Sequence, residues 1–154
     1  MNVKHVMPFG TRREFSKFIF SLLASGFFAS FCYGMFLTGD SYAAFLVGLE
    51  GGVFAILLVP VFLVLYTLKL NGFWGVVLTG AISVFLIFLF NTLDYCKAGV
   101  TANLGKGYVC VSGEITDLGW SNVFGIAAEG FLLGLFGAVL FWLMAPKVDV
   151  QRRS

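Results

Sequence analysis

At 154 residues, 59% of them hydrophobic and only 12% charged, the chain carries a net charge of +2 and a mean hydropathy of +0.94. Soluble domains carry roughly 25% charged and about 45–50% apolar residues, so a water-soluble fold is excluded, and so small a net charge gives no grip on nucleic acid. The composition is that of an integral membrane protein whose first partner is the lipid bilayer.

In chain order, residues 1–17 form a basic N-terminus containing Lys4, Arg12, Arg13 and Lys17. Within it, T-R-R-E-F-S-K (11–17) resembles the twin-arginine export signal. Ser16 departs from that pattern, and the apolar run that follows, Phe18 to Leu37, is longer than the 7–15 residues of a signal core. The segment therefore reads as a cytoplasmic anchor ahead of a first span over 18–37.

Three more segments meet the roughly 20-residue requirement of a helix crossing a ~30 Å hydrocarbon core: about 42–66, 73–93 and 122–144. Backbone groups in lipid must bond within their own segment, so the predicted fold is an all-α, four-helix transmembrane bundle over 18–144. Pro60 lies within the second span and is expected to kink it by removing one backbone bond. Residues 145–154 form a basic tail.

Orientation follows from the Lys and Arg residues. Eight of the ten (Lys4, Arg12, Arg13, Lys17, Lys69, Lys147, Arg152 and Arg153) fall on one side, and only Lys97 and Lys106 on the other. The positive-inside rule places both termini in the cytoplasm, with the protein in the cell's inner (plasma) membrane. Tyr42, Tyr95 and Trp120 then mark the outer interface, and Tyr66, Trp74 and Trp142 the inner one.

The connections are short except for the outer loop, 94–121, which holds Cys96 and Cys110. Two cysteines on the non-cytoplasmic side predict a disulfide that staples this loop. In the chain-entropy model, closing a ring of about 15 residues contributes roughly 3 kcal/mol. G-Y-V-C-V-S-G (107–113) alternates as a short strand does, and N-L-G-K-G (103–107) is a plausible turn before it. Four spans with a cysteine pair in the last outer loop resemble the quinone-linked disulfide oxidoreductases of the bacterial inner membrane. That relay also needs a C-x-x-C pair in the first outer loop, where this chain has T-G-D-S, so Cys96 and Cys110 read as structural. Cys32 reads as a small packing residue.

Two acids stand inside apolar spans: Glu50 in L-V-G-L-E-G-G and Glu129 in I-A-A-E-G-F-L. Glu50 lies roughly 12 Å and Glu129 roughly 10 Å into their spans at 1.5 Å per residue, which predicts one buried acidic pair at a common depth. Ser30, Tyr33 and Ser83 are its candidate hydrogen-bond partners. Rotary-ATPase proteolipids also place an acid in a span, but they are rich in Gly and Ala with short loops, unlike this Phe-rich chain. Gly48 with Gly52, and Gly130 with Gly134, form G-x-x-x-G pairs that favour close helix packing.

No phosphate-binding Gly-rich loop, H-E-x-x-H or metal-ligand cluster is present, and the single His5 lies in the N-terminal tail. No enzyme activity, metal or cofactor is expected. The function expected from sequence is an accessory, partner-binding or immunity-like protein that uses the acidic pair and the small-residue faces. The alternative is an oligomeric proton- or cation-coupled transporter or channel using Glu50 and Glu129. The corresponding partner is another membrane protein or a second copy of the chain.

Overall fold

A computed structural model describes residues 12–70, 72–94, 96, 101–103 and 107–145. Helix α1 spans Arg12–Thr38, α2 Ser41–Ala55, α3 Val59–Thr67, α4 Phe73–Leu93 and α5 Asp117–Met144. A single 3₁₀ turn, Ile56–Leu58, joins α2 to α3, so the two act as one span. The turn falls just ahead of Pro60, whose ring cannot follow a preceding helical turn without displacing it. The result is a bundle of four helical spans, each long and apolar enough to cross a membrane.

Short side-chain motifs set the connections. Gly39, at φ +66°, takes the left-handed turn after α1, and Asp40 caps α2 by accepting a 3.0 Å bond from the Tyr42 amide. After α3, Lys69 adopts φ +58°. There the Lys69 amide donates to the Tyr66 carbonyl at 3.2 Å and the Leu70 amide to the Leu65 carbonyl at 3.0 Å, the paired bonds of a Schellman turn.

The spans pack as two antiparallel hairpins, α1 with α2 and α4 with α5, joined through α1 and α5. Close approach depends on bare backbone. A Cβ on Gly26 would sit 2.8 Å from both the Ala55 Cβ and the Gly51 carbonyl oxygen, and one on Gly134 2.7 Å from the Gly80 carbonyl oxygen. At the end of the bundle where the two hairpins meet, Phe18, Phe62 and Phe141 are almost wholly buried. The Phe141 ring lies 4.9 Å from Phe62 and 5.5 Å from Phe18, and Phe18 meets Tyr66 edge-on at 5.4 Å. Ser21, donating to the Met144 carbonyl at 3.0 Å, ties α1 to the last turn of α5 beside this plug.

The opposite end carries a three-stranded antiparallel sheet, β1 Ala102–Asn103, β2 Tyr108–Val111 and β3 Glu114–Ile115. Ser112 and Gly113, at φ +53° and +88°, make a two-residue hairpin between β2 and β3. The Cys96–Cys110 disulfide, with Cα atoms 5.7 Å apart, fastens β2 to the end of α4. Thr116 caps α5 by accepting from the Gly119 amide at 3.0 Å while donating to the Tyr108 carbonyl at 2.6 Å. This cap starts α5 five residues earlier than hydropathy alone suggests, because its first turn is held by the sheet as well as by lipid-facing side chains. The expected turn over 103–107 lies largely outside the described residues, as do Tyr95, Lys97, Lys106, most of the N-terminus and most of the basic tail.

Candidate functional site

The two acids do not form the expected buried pair. Among the described residues the buried polar side chains are three serines, Ser21, Ser25 and Ser30, whereas Glu50 and Glu129 are both exposed. Among the described residues no salt bridge involves either carboxylate. The bundle order explains the separation: α2 packs on α1, and α5 packs on α4 and α1, so α1 stands between the helices that carry the acids. They also differ in depth. Gly51, next to Glu50, packs against Gly26 and Ser30, whereas Glu129 is reached by Tyr33, roughly one to two turns nearer the sheet. With the pair goes the basis for the accessory and cation-coupled functions built on it.

Each acid has its own surroundings. Glu129 Oε2 accepts a 2.6 Å hydrogen bond from the Tyr33 hydroxyl, which links α5 to α1. Glu50 instead faces a cavity of about 1230 Å³ that separates α2 from α4 and runs down to where α3 meets α4. Ser30 and Tyr33 border the same cavity; Ser83 does not. Cys32, expected to pack inside, is exposed on α1 and free.

The glycines divide by what they touch. Gly48 meets the Phe27 and Phe31 side chains and Gly130 the Phe88 ring, while Gly134 lies against Gly80 and Val84. Gly52 has only ordinary contacts, with nothing nearer to a Cβ than 3.5 Å. The tightest approach between α1 and α2 belongs instead to Gly51, where a Cβ would overlap the Ser30 hydroxyl.

The cavity has a definite shape. Leu22, Leu58, Phe62 and Phe141 floor it above the aromatic plug, and Val109, Cys110 and Gly119 roof it beneath the disulfide. Along α4 it runs from Gly80 to Asp94, roughly 21 Å at the helical rise. Its side opens because α2 makes no extensive contact with α4, while α3 meets α4 near the plug, where Phe62 and Leu65 cluster with Val76. Ligand clefts commonly measure roughly 300–1,000 Å³, so this one suits something long.

Its lining is graded. Around the floor the side chains are apolar, and the one hydroxyl at that level, Ser25, is spent on the Leu22 carbonyl at 2.9 Å. Toward the sheet come Ser30, Tyr33 and Glu50, and nearest the sheet Asn91, Thr92, Asp94 and Asn122. Among the described residues no lysine, arginine or histidine borders the cavity. Sequence reasoning found Ser30, Tyr33 and Glu50 as polar intruders in apolar helices, but it missed the cleft. The cleft arises from which helices fail to touch, and residue spacing carries no sign of that.

No known protein family, no curated protein and no solved structure matches the chain. Fold and site define a class only: a multi-span membrane protein with a side-opening, amphipathic cleft.

Proposed function

We propose that this chain is a membrane-embedded binding protein that holds an elongated amphiphile in the cleft between α2–α3 and α4, without catalysing a reaction on it. One observation carries the reading: a cavity of about 1230 Å³ lies between an aromatic floor at one end and the disulfide-stapled sheet at the other, with an open side along the gap where α2 and α4 make no extensive contact. In a bilayer, that side faces lipid. A molecule entering from the lipid phase keeps its apolar part among Leu22, Leu58 and Phe141 and its polar part toward Tyr33 and Asn91. The plug argues against a continuous path for ions through one copy of the chain.

The proposed setting is the cell's inner (plasma) membrane with both termini in the cytoplasm, which puts the sheet and cleft roof on the outer side. The distribution of lysine and arginine supports this orientation, and an oxidising outer compartment suits the disulfide.

Purification of the full chain in mild detergent, followed by mass spectrometry of extracted lipid, tests the reading. Wild type should retain a stoichiometric amphiphile, and Ile87→Trp with Ile126→Trp, which fill the cleft from two walls, should lose it while staying folded. Equal retention by wild type and the filled variant overturns the proposal. Recovery of a second protein or a second copy crosslinked in the cleft instead assigns the space to a helix of that partner.

A further inference from the structure

Ser30 is 7% exposed, and its hydroxyl makes no hydrogen bond among the described residues. A serine inside a helix ordinarily returns its proton to a carbonyl three or four residues back, as Ser25 does at 2.9 Å. Among the described residues no buried side-chain oxygen is both sealed off and unbonded. The Ser30 oxygen is therefore not fully sealed: it sits against the bare backbone of Gly51 at the edge of the cleft that both residues border. One helix away, Glu50 borders the same space and is likewise without a hydrogen-bond partner among the described residues. Gly51, the residue after Glu50, lies directly against Ser30, so the two polar groups belong to one layer.

That layer has one sign. An unpaired carboxylate within a span is costly, and no cationic side chain among the described residues borders the cleft to offset it. A cation from outside the chain can. Tyr33, on the next turn of α1, adds an aromatic ring and a phenol oxygen to the same wall, the kind of surface to which ammonium groups are drawn. From Ser30 down to Leu22 the wall runs roughly 12 Å, somewhat less than one leaflet of a ~30 Å core. Over that length no polar side chain is left for a second head to use.

We infer that the cleft selects amphiphiles with a cationic, amine-type head, held at Glu50 beside Ser30 and Tyr33 with the tail running down to the aromatic plug; this rests on the cleft being a ligand site as proposed above. The amine donates to the Glu50 carboxylate and to the Ser30 oxygen. A carboxylate- or phosphate-only head meets Glu50 as a like charge, and a neutral alcohol gains only a hydrogen bond.

The full chain in nanodiscs of zwitterionic lipid provides the test, using photoreactive decyl chains that end in an ammonium, a hydroxyl or a carboxylate. Labelling is mapped by mass spectrometry to residues along the tail's path, such as Leu22, Leu58 and Phe141. In wild type the ammonium probe should label these sites at least about tenfold more than the other two, a difference near 1.4 kcal/mol. Glu50→Gln should bring ammonium labelling down toward the level of the alcohol, while Ser30→Ala should give an intermediate loss. Equal labelling by all three heads in wild type overturns the head-group inference and leaves the cleft as a tail site. Absence of cleft labelling by every probe overturns both that inference and the binding function beneath it. The wild-type comparison stands whether or not either variant folds.

Discussion

The Tyr33 hydroxyl reaches across from α1 to Glu129 Oε2 on α5 at 2.6 Å, and so joins the two hairpins above the point where Ala29 meets Gly137. Hydrogen bonds between helices in membranes contribute about 0.6 kcal/mol on average and up to about 1.7 kcal/mol. A double-mutant cycle of Tyr33→Phe and Glu129→Ala, read by reversible unfolding in bicelles, should give a coupling energy in that range, because residues sharing one bond are non-additive. A coupling of zero removes the bond from the account of how the hairpins hold together.

At the other end of the same interface, Phe141 fills the space between Phe18 and Phe62. Truncation of a buried Phe to Ala costs about 3–5 kcal/mol. Phe141→Ala should destabilise the bundle by about that much, and Phe141→Ala with Phe62→Ala by less than the sum, since the two rings touch. Unfolding monitored by steric trapping or by thermal loss of monodispersity reads both values.

The disulfide fastens the sheet to α4 across a sequence separation of 14 residues. Loop-closure entropy gives it about 3 kcal/mol against the unfolded chain. Cys96→Ser with Cys110→Ser should lower stability by about 2–4 kcal/mol. Because Val109 and Cys110 also roof the cleft, the same variant should release bound amphiphile faster. Dissociation followed with and without reductant on wild type checks the second effect, and an unchanged off-rate would show that the sheet covers the cleft without holding its contents.

Four spans and a stapled loop were legible because each has a local cause: apolar length for the helices, two cysteines on one side for the staple. The 3₁₀ turn at Ile56–Leu58 has a local cause too, since Pro60 acts on its own preceding turn. The acidic pair was misread because its logic was not local. Matching Glu50 and Glu129 by distance from an estimated helix start requires knowing where α5 begins and which helices are neighbours. The Thr116 cap moved the first, and α1 lying between α2 and α5 settled the second. The small β3 strand was missed too, because Glu114–Ile115 is too short to show a period and depends on the positive φ of Ser112 and Gly113.

Adjacent glycines in the motif that drew attention to Glu50 separate spacing from contact. Gly48 and Gly52 carry the G-x-x-x-G pattern, yet a Cβ on Gly52 would come no nearer than 3.5 Å to anything, an ordinary contact. On Gly51 the same atom would overlap the Ser30 hydroxyl and lie 2.9 Å from the Gly26 carbonyl oxygen, both on the facing wall of α1. Overpacking of this kind costs about 1–3 kcal/mol. Gly51→Ala should therefore destabilise the α1–α2 hairpin by that amount, while Gly52→Ala should be neutral or slightly stabilising, since Ala is the better helix former by up to about 1 kcal/mol. Removing the Ser30 side chain should recover part of the loss, so Gly51→Ala with Ser30→Gly should unfold later than Gly51→Ala alone, less the helix penalty of the new glycine. If Gly52→Ala proves the more damaging of the two single changes, the register between α1 and α2 is wrong, and with it the placement of Ser30 beside Glu50.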